Sequence, residues 1–460
     1  MKKILILALI FSVIPVSTNA AETPRPNIVF VLVDDLRWDA LGCTGHPFVK
    51  TPHIDRIAKE GALFKNFFVT LPLCSPSRAS FLTGQYPHKN GIIDNAPRAE
   101  QSHKLVTFPK LLRDSGYESG YVGKWHMGTD SSKRPGFDYW VCLPGQGQYE
   151  NPMMNVNGTN AKVPGYVTDL LSEHAVKFIK QKREKPFLLY VSHKSVHGPF
   201  TPAERHKNLY ADVKVTPPPS VNDSLEGKPV LTREQDDVDV RPTKPKKKGK
   251  ADDTVQKQYP PSTMLQQLRA LASIDDGVGL IFAALEQTQQ LDNTVFVFTS
   301  DNGYFWAEHG LGDKRWAYEE SIRDPLVLRY PKLVKAGIKI DEMVLNIDVA
   351  PTLLELGGAK IPKEIQGESF VPLLKGEKTD WRKSGLFEYF QEKNFSRTPT
   401  WHAVRTDRWK YIQYSDLSGM DELYDLKTDP FEMKNLVNDS SAKKQLQEMK
   451  AELARLQKMY

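Results

Sequence analysis

The sequence predicts an α/β protein: a large, mostly parallel sheet flanked by helices, then a smaller C-terminal subdomain of antiparallel strands closed by a terminal helix. Three observations carry that expectation. Residues 26–35 (PNIVFVLVDD), 187–191 (FLLYV) and 294–299 (TVFVFT) are unbroken apolar runs rather than alternating ones, the mark of strands covered on both faces. Stretches of helical periodicity, at 167–180 and 264–289, alternate with them. From Leu386 the texture changes to short aromatic–polar alternations, FEYF, WHAVRT, WKYIQY and ELYDL, parted by turns.

The 460 residues are 40% hydrophobic and 26% charged, an ordinary globular composition. Residues 1–20 read as a secretory signal: Lys2 and Lys3, an apolar run to Val16, then small residues before Ala21. That run is too short to span a bilayer, and no later stretch is long enough. The mature chain is therefore expected in the periplasm or secreted, with no stable membrane anchor. A formal charge of +6 is too small to mark a partner, and no nucleic acid is expected to bind.

In chain order, Asp34 and Asp35 fall where the first strand ends. Thr51 and Pro52 open a helix with a capping hydroxyl and a proline at the first position, and Ile54, Ile57, Ala58 and Leu63 form its apolar stripe, with Gly61 as a stop. Residues 108–115 read as helix and 117–122 as a strand that runs into Gly123-Lys124-Trp125-His126. The strand at 187–191 delivers His193 and His197, and that at 294–299 delivers Asp301 and Asn302. These strands bring polar groups to their carboxyl ends, where ligands bind in open α/β sheets. This argues for one shared active site.

Residues 203–261 lose all periodicity and carry Pro217-Pro218-Pro219 and a basic run at 246–250; a partly disordered surface insertion is expected, its lysines solvated. Residues 348–356 read as a short helix ended by Gly357-Gly358. The chain divides into a main domain, 21–384, and a subdomain, 385–460, which ends in an amphipathic helix at 442–459.

The chemistry concentrates in residues 70–88, TLPLCSPSRASFLTGQYPH. Pro76 suits a helix's first turn, and Arg78 shares the helical face of Cys74. Cys43 and Cys142 are left to pair or to stay free. Cys74-x-Pro-x-Arg78 with Leu82-Thr83-Gly84 resembles the signature of the type I sulfatases, formylglycine-dependent members of the alkaline phosphatase superfamily. The resemblance covers nearly the whole mature chain, through Asp34-Asp35, Lys124-x-His126, Val196-His197-Gly198-Pro199, Asp301-Asn302-Gly303 and Asp313-Lys314-Arg315.

It implies an alkaline phosphatase-like fold and a sulfuric ester hydrolase whose Cys74 is oxidised to formylglycine by a formylglycine-generating or sulfatase-maturating enzyme. It implies that Asp34, Asp35, Asp301, Asn302 and the modified Cys74 hold Ca²⁺, or Mg²⁺; an oxygen-only set suits either and disfavours zinc. Arg78, Lys124, His126 and Lys314 would engage the nucleophile and the sulfate, and His197 would protonate the leaving alcohol. Residues 309–323 resemble exported bacterial sulfatases acting on sulfated glycans, N-acetylglucosamine-6-sulfatase-like enzymes among them. A phosphonate or phosphate ester hydrolase, or a non-catalytic glycan-binding protein with unmodified Cys74, are the alternatives. Trp306, Trp316, Trp401, His402 and Arg405 are candidate sugar contacts. His193 and His309 are left open, and His46, His53, His103 and His206 are expected away from the chemistry.

Overall fold

A computed structural model describes residues 25–233 and 260–460, so the expected signal at 1–20 and the basic run at 246–250 lie outside the described residues. The strand β1 (Asn27–Val33) is central because both its faces are apolar: Ile28, Phe30 and Leu32 enter one core, Val29, Val31 and Val33 the other. It pairs in parallel with β7 (Phe187–Ser192) and β8 (Thr294–Ser300). β3 (Glu118–Lys124) joins β7 in parallel, and β4 (Tyr139–Leu143) joins β3 likewise. The carboxyl ends of β8, β1, β7, β3 and β4 therefore share one edge.

The ten-stranded sheet is completed on one side by the hairpin β5 (Met153–Val156) and β6 (Thr159–Lys162). On the other side lie β2 (Ala62–Phe68), β11 (Leu326–Arg329) and β12 (Ile338–Leu345), with β11 antiparallel to both β8 and β2. A separate two-stranded antiparallel ribbon, β9 (Phe305–Trp306) and β10 (Gly312–Asp313), follows β8 and leads into Lys314. Helices α1 (Pro52–Lys59), α4 (Val167–Ile179) and α5 (Ser262–Gln287) cover one face; α2 (Cys74–Thr83), α3 (Phe108–Asp114) and α6 (Val349–Leu356) cover the other. A second sheet of β13 (Ser384–Tyr389), β14 (Trp401–Thr406), β15 (Trp409–Tyr414) and β16 (Glu422–Asp425) is antiparallel throughout. Helix α7 (Lys443–Met459) buries Met449, Leu453 and Leu456 against it.

The structure corrects several expectations. Leu63 belongs to β2 and not to the stripe of α1, which ends at Lys59. The Thr51 hydroxyl caps nothing; it donates to Asp55 Oδ1 at 2.8 Å and accepts from the Gly42 amide. For Cys43 and Cys142, left open between pairing and staying free, the structure gives the second: they pack on opposite faces of the sheet as free thiols. The described part of 203–261 is no mere surface insertion: Val230 and Leu231 are buried in the C-terminal core, and Asp223 accepts from Lys228 and His309. Its anchors are ion pairs, which leave no periodic trace in sequence.

One glycine positions the site directly. Gly123 has φ 132°, and a Cβ there would stand 1.8 Å from the Ser192 carbonyl oxygen of β7. Gly123→Ala is expected to lower stability by about 3 kcal/mol or more, because neither backbone can retreat inside the sheet. Thermal unfolding of the two proteins checks this.

Candidate active site

Cys74 is the first residue of α2, with Leu73 extended before it and the Ser77 amide donating to the Leu73 carbonyl at 2.9 Å. Every residue of α2 is buried, so the helix runs through the interior and presents its amino end beneath the carboxyl edge of the sheet. That end is the positive pole of the helix dipole, and its Ser75 amide is taken up by Asn95 Oδ1 at 3.0 Å. The Cys74 Sγ lies 3.5 Å from Asp34 Oδ1 and 3.2 Å from Lys314 Nζ.

Around it the motif residues interlock. Lys124 Nζ donates to Asp34 Oδ2, and Lys314 Nζ donates to Asp35 Oδ1. The Asp35 amide donates to Asp301 Oδ1 at 3.1 Å, and Asn302 Nδ2 donates to Asp35 Oδ1 at 2.7 Å. Arg78 lies among the buried groups: its Nε donates to Asp301 Oδ2 at 2.7 Å, and Nη1 donates to the Lys124 carbonyl and to Ser192 Oγ. It braces the carboxylates of β1 and β8 against the end of β3. His126 takes a positive φ of 65°, with its carbonyl accepting from Ser75 Oγ at 2.7 Å. His197 Nδ1 donates to the Gly198 carbonyl at 3.0 Å, and Nε2 lies 3.8 Å from Asp35 Oδ2.

The charges divide unevenly. Burial alone would raise the Asp34 carboxyl, yet Lys124, with His197, Arg78 and Lys314, holds it well below the usual range. Asp301 goes the other way, to about 7, through burial and the neighbouring Asp34 and Asp35 carboxylates, despite Arg78. Asp34, Asp35 and Asp301 each offer an oxygen within 4.8 Å of the others, and the buried Asn302 Oδ1 has no hydrogen-bond partner among the described residues. This crowded, acceptor-only set fits a hard divalent cation, which would relieve the repulsion and fill the orphaned amide oxygen. Burial also pushes the Cys74 thiol up to about 12, so as a thiol it is un-ionised near neutrality. Burial lowers His126 well below its ordinary value, with Lys124 adding to the effect.

The groups open onto a cavity of about 640 Å³ lined by Asp35, His126, His197 and Lys314. Its outer wall brings in residues the motifs did not flag: Asn95, Gln146, Phe200, Tyr304 and Phe395. Gln146 follows β4, a strand the sequence reading passed over; the short apolar run YWVCL before Pro144-Gly145 was the available signal. Phe395 comes from the loop between β13 and β14, so the second sheet reaches the site.

None of the five candidate sugar contacts lines this cavity. Trp316 and Trp401 are core residues of the second sheet, Trp306 Nε1 donates to Gln267, and Arg405 pairs with Glu319 at 2.9 Å. His402 lies on β14, opposite Glu388 of β13 and Gln413 of β15, with its ring beside Phe390. His193 is buried with neither ring nitrogen bonded among the described residues, and His309 Nδ1 is held by Asp223 at 2.6 Å.

Two lysines and a carboxylate cluster converge on a buried helix terminus beside a cavity, an arrangement that fits an enzyme acting on anionic esters. The family model for sulfatases matches residues 26–359, and that for the C-terminal part of N-sulphoglucosamine sulphohydrolase matches 307–459. The chain belongs to the sulfatase family and is a sulfuric ester hydrolase. The N-acetylglucosamine-6-O-sulfatase of Bacteroides thetaiotaomicron is 34% identical over 95% of this chain and 87% of its own length. Human N-acetylglucosamine-6-sulfatase is 30% identical over 91% and 82% respectively. A protein solved in complex with its substrate D-glucosamine-2-N,6-O-disulfate superposes with a TM-score of 0.84 at 32% identity, covering 94% of this chain and 98% of that one.

Proposed function

We propose that this enzyme is an exported glycan sulfatase that removes a sulfate ester from an amino sugar, using formylglycine made from Cys74 and a resident Ca²⁺. The observation that carries the reading is the position of the buried Cys74 sulfur, 3.5 Å from Asp34 Oδ1 and 3.2 Å from the Nζ of Lys314, a residue that lines the cavity; burial there keeps a plain thiol un-ionised. An aldehyde hydrate at that carbon supplies two hydroxyls, one to attack sulfur and one to release sulfate afterwards. Asp34, Asp35, Asp301 and Asn302 would hold the cation, which supplies Lewis-acid polarisation.

The chain's own groups do the rest. Lys124 and Lys314 bring fixed positive charge to the point where the sulfate's oxygens gather. Arg78 keeps Asp301 and Lys124 in register with one another. His197 faces the cavity with Nδ1 already committed to Gly198, so Nε2 is the atom that hands a proton to the departing sugar oxygen. The amino-sugar substrates named for the relatives support the substrate class. Residues 1–20 support export to the periplasm or beyond, and a sulfatase-maturating enzyme is the partner that oxidises Cys74.

The test compares a 6-sulfated glucosamine, 4-nitrophenyl sulfate and a phenyl phosphonate monoester. Sulfate esters are expected to be the faster substrates; a faster phosphonate would overturn the reading. A sugar alkoxide leaves poorly without a proton, whereas a nitrophenolate does not need one. His197→Ala is therefore expected to slow the sugar sulfate by about 10²–10⁴-fold and the aryl sulfate by less than about tenfold. Equal losses on both remove His197 from the general-acid role.

A further inference from the structure

Lys194 is a buried cation that feels Asp34 and Asp35 only at a distance. It is 1% exposed, and among the described residues it makes no ion pair with a carboxylate. Its Nζ donates to the Gly198 carbonyl at 3.0 Å and lies 5.0 Å from the centre of the Tyr149 ring. A buried ammonium held by one neutral acceptor and one aromatic face is expensive to keep, and a leucine or methionine would fill the same space with less strain on stability. Burial, with Lys124 nearby, lowers its pKa to about 8, consistent with that cost.

The acceptor it holds is the one His197 uses. Gly198's carbonyl receives His197 Nδ1 at 3.0 Å and Lys194 Nζ at 3.0 Å, which occupies both of its lone pairs. A carbonyl can only accept, so Nδ1 must carry hydrogen and Nε2 is left as the exchanging nitrogen, 3.8 Å from Asp35 Oδ2. The His197 carbonyl is pinned separately by the Tyr149 hydroxyl at 2.6 Å, and the His197 amide bonds back to the Lys194 carbonyl at 3.1 Å. Lys194 and Tyr149 thus fix both sides of the peptide that carries the imidazole.

We infer that Lys194 and Tyr149 are positioning residues that hold the Gly198 carbonyl and the His197 backbone so that the His197 ring keeps Nε2 turned to the departing oxygen. This rests on the general-acid reading of His197 given above. Neither residue touches the reacting atoms; each acts through His197.

The experiment measures kcat and KM on the sugar sulfate and on 4-nitrophenyl sulfate for Lys194→Met, Lys194→Arg, Tyr149→Phe, His197→Ala and the double variant Lys194→Met/His197→Ala. Lys194→Met is expected to lose about 10- to 100-fold in kcat on the sugar sulfate and less than about threefold on the aryl sulfate, with KM little changed. Lys194→Arg recovers most of that loss. The double variant falls no further on the sugar sulfate than His197→Ala alone, since the two residues act as a unit. A purely structural lysine would slow both substrates alike and add its effect to that of His197→Ala; either result overturns the inference. If Lys194→Met does not fold, Tyr149→Phe, which keeps the ring and removes only the hydroxyl, must show the same substrate asymmetry at smaller size. Should His197→Ala itself show no asymmetry, the general-acid reading fails and this inference with it. Should His197→Ala show it while neither Lys194→Met nor Tyr149→Phe does, the positioning role alone is refuted.

Discussion

Cys74→Ala is expected to abolish turnover, by about 10⁴-fold or more, while changing stability by only about 1–2 kcal/mol. The sulfur marks the position that both Asp34 and Lys314 address, at 3.5 Å and 3.2 Å, and alanine retains the Cβ that packs at the start of α2. Loss of activity should therefore come without loss of fold. Steady-state rates and a thermal unfolding curve on the same preparation test this, alongside the mass of the wild-type peptide spanning Cys74. Activity persisting at more than a few per cent, or a wild-type peptide that is active yet wholly thiol, would sink the assignment of the nucleophile.

The second large effect is expected at the carboxylate cluster. Chelation should lower the unfolding midpoint and the activity of the wild-type enzyme, and Ca²⁺ should restore both. At about a hundredfold excess over its dissociation constant a ligand adds about 2.7 kcal/mol to the native state. Asp301→Asn keeps the shape of a side chain that bridges Arg78 Nε and the Asp35 amide, but removes a charge from the set of Asp34, Asp35 and Asp301. That variant should lose the Ca²⁺-dependent shift in midpoint together with about 10³-fold in rate. Activity restored by zinc alone, or a midpoint indifferent to chelation, contradicts an oxygen-bound hard cation.

How much of this could be read from sequence depends on whether a residue's reason for being there is local. β1, β7 and β8 were legible because continuous apolar runs arise from cover on both faces, and Asp34, Asp301 and His197 followed as the polar groups just past them. β2 was not legible. Its pattern, ALFKNFF, mixes buried and half-exposed positions, and its first apolar residues continue the stripe of α1. β4 is too short to announce itself, which hid Gln146 and Tyr149. Lys194 was passed over because its meaning lies in sharing one carbonyl with His197, a relation no periodicity encodes. The same holds for Asp223, whose partner His309 stands 86 residues away. The aromatic residues proposed to touch sugar failed for the opposite reason: a core tryptophan and a binding tryptophan look alike until burial is known.

The distance along the chain between Cys74 and the groups that enclose it has a consequence in time. Lys314 follows Cys74 by 240 residues, and Asp301 is bound through Arg78 across 223. A ribosome adding about 5–20 residues per second needs about 10–50 s to make that interval. Throughout it Asp301 and Lys314 have not been made, so the contacts that enclose the sulfur in the folded protein are incomplete. Once they arrive, Cys74 is 0% exposed. On the proposed formylglycine mechanism, oxidation of Cys74 becomes a race between the maturating enzyme and the completion of the chain, and its outcome sets what fraction of molecules is active. On that reading, slowing translation, or weakening the contacts that shut the site, should raise that fraction, and a surplus of chain over the proposed maturating enzyme should lower it.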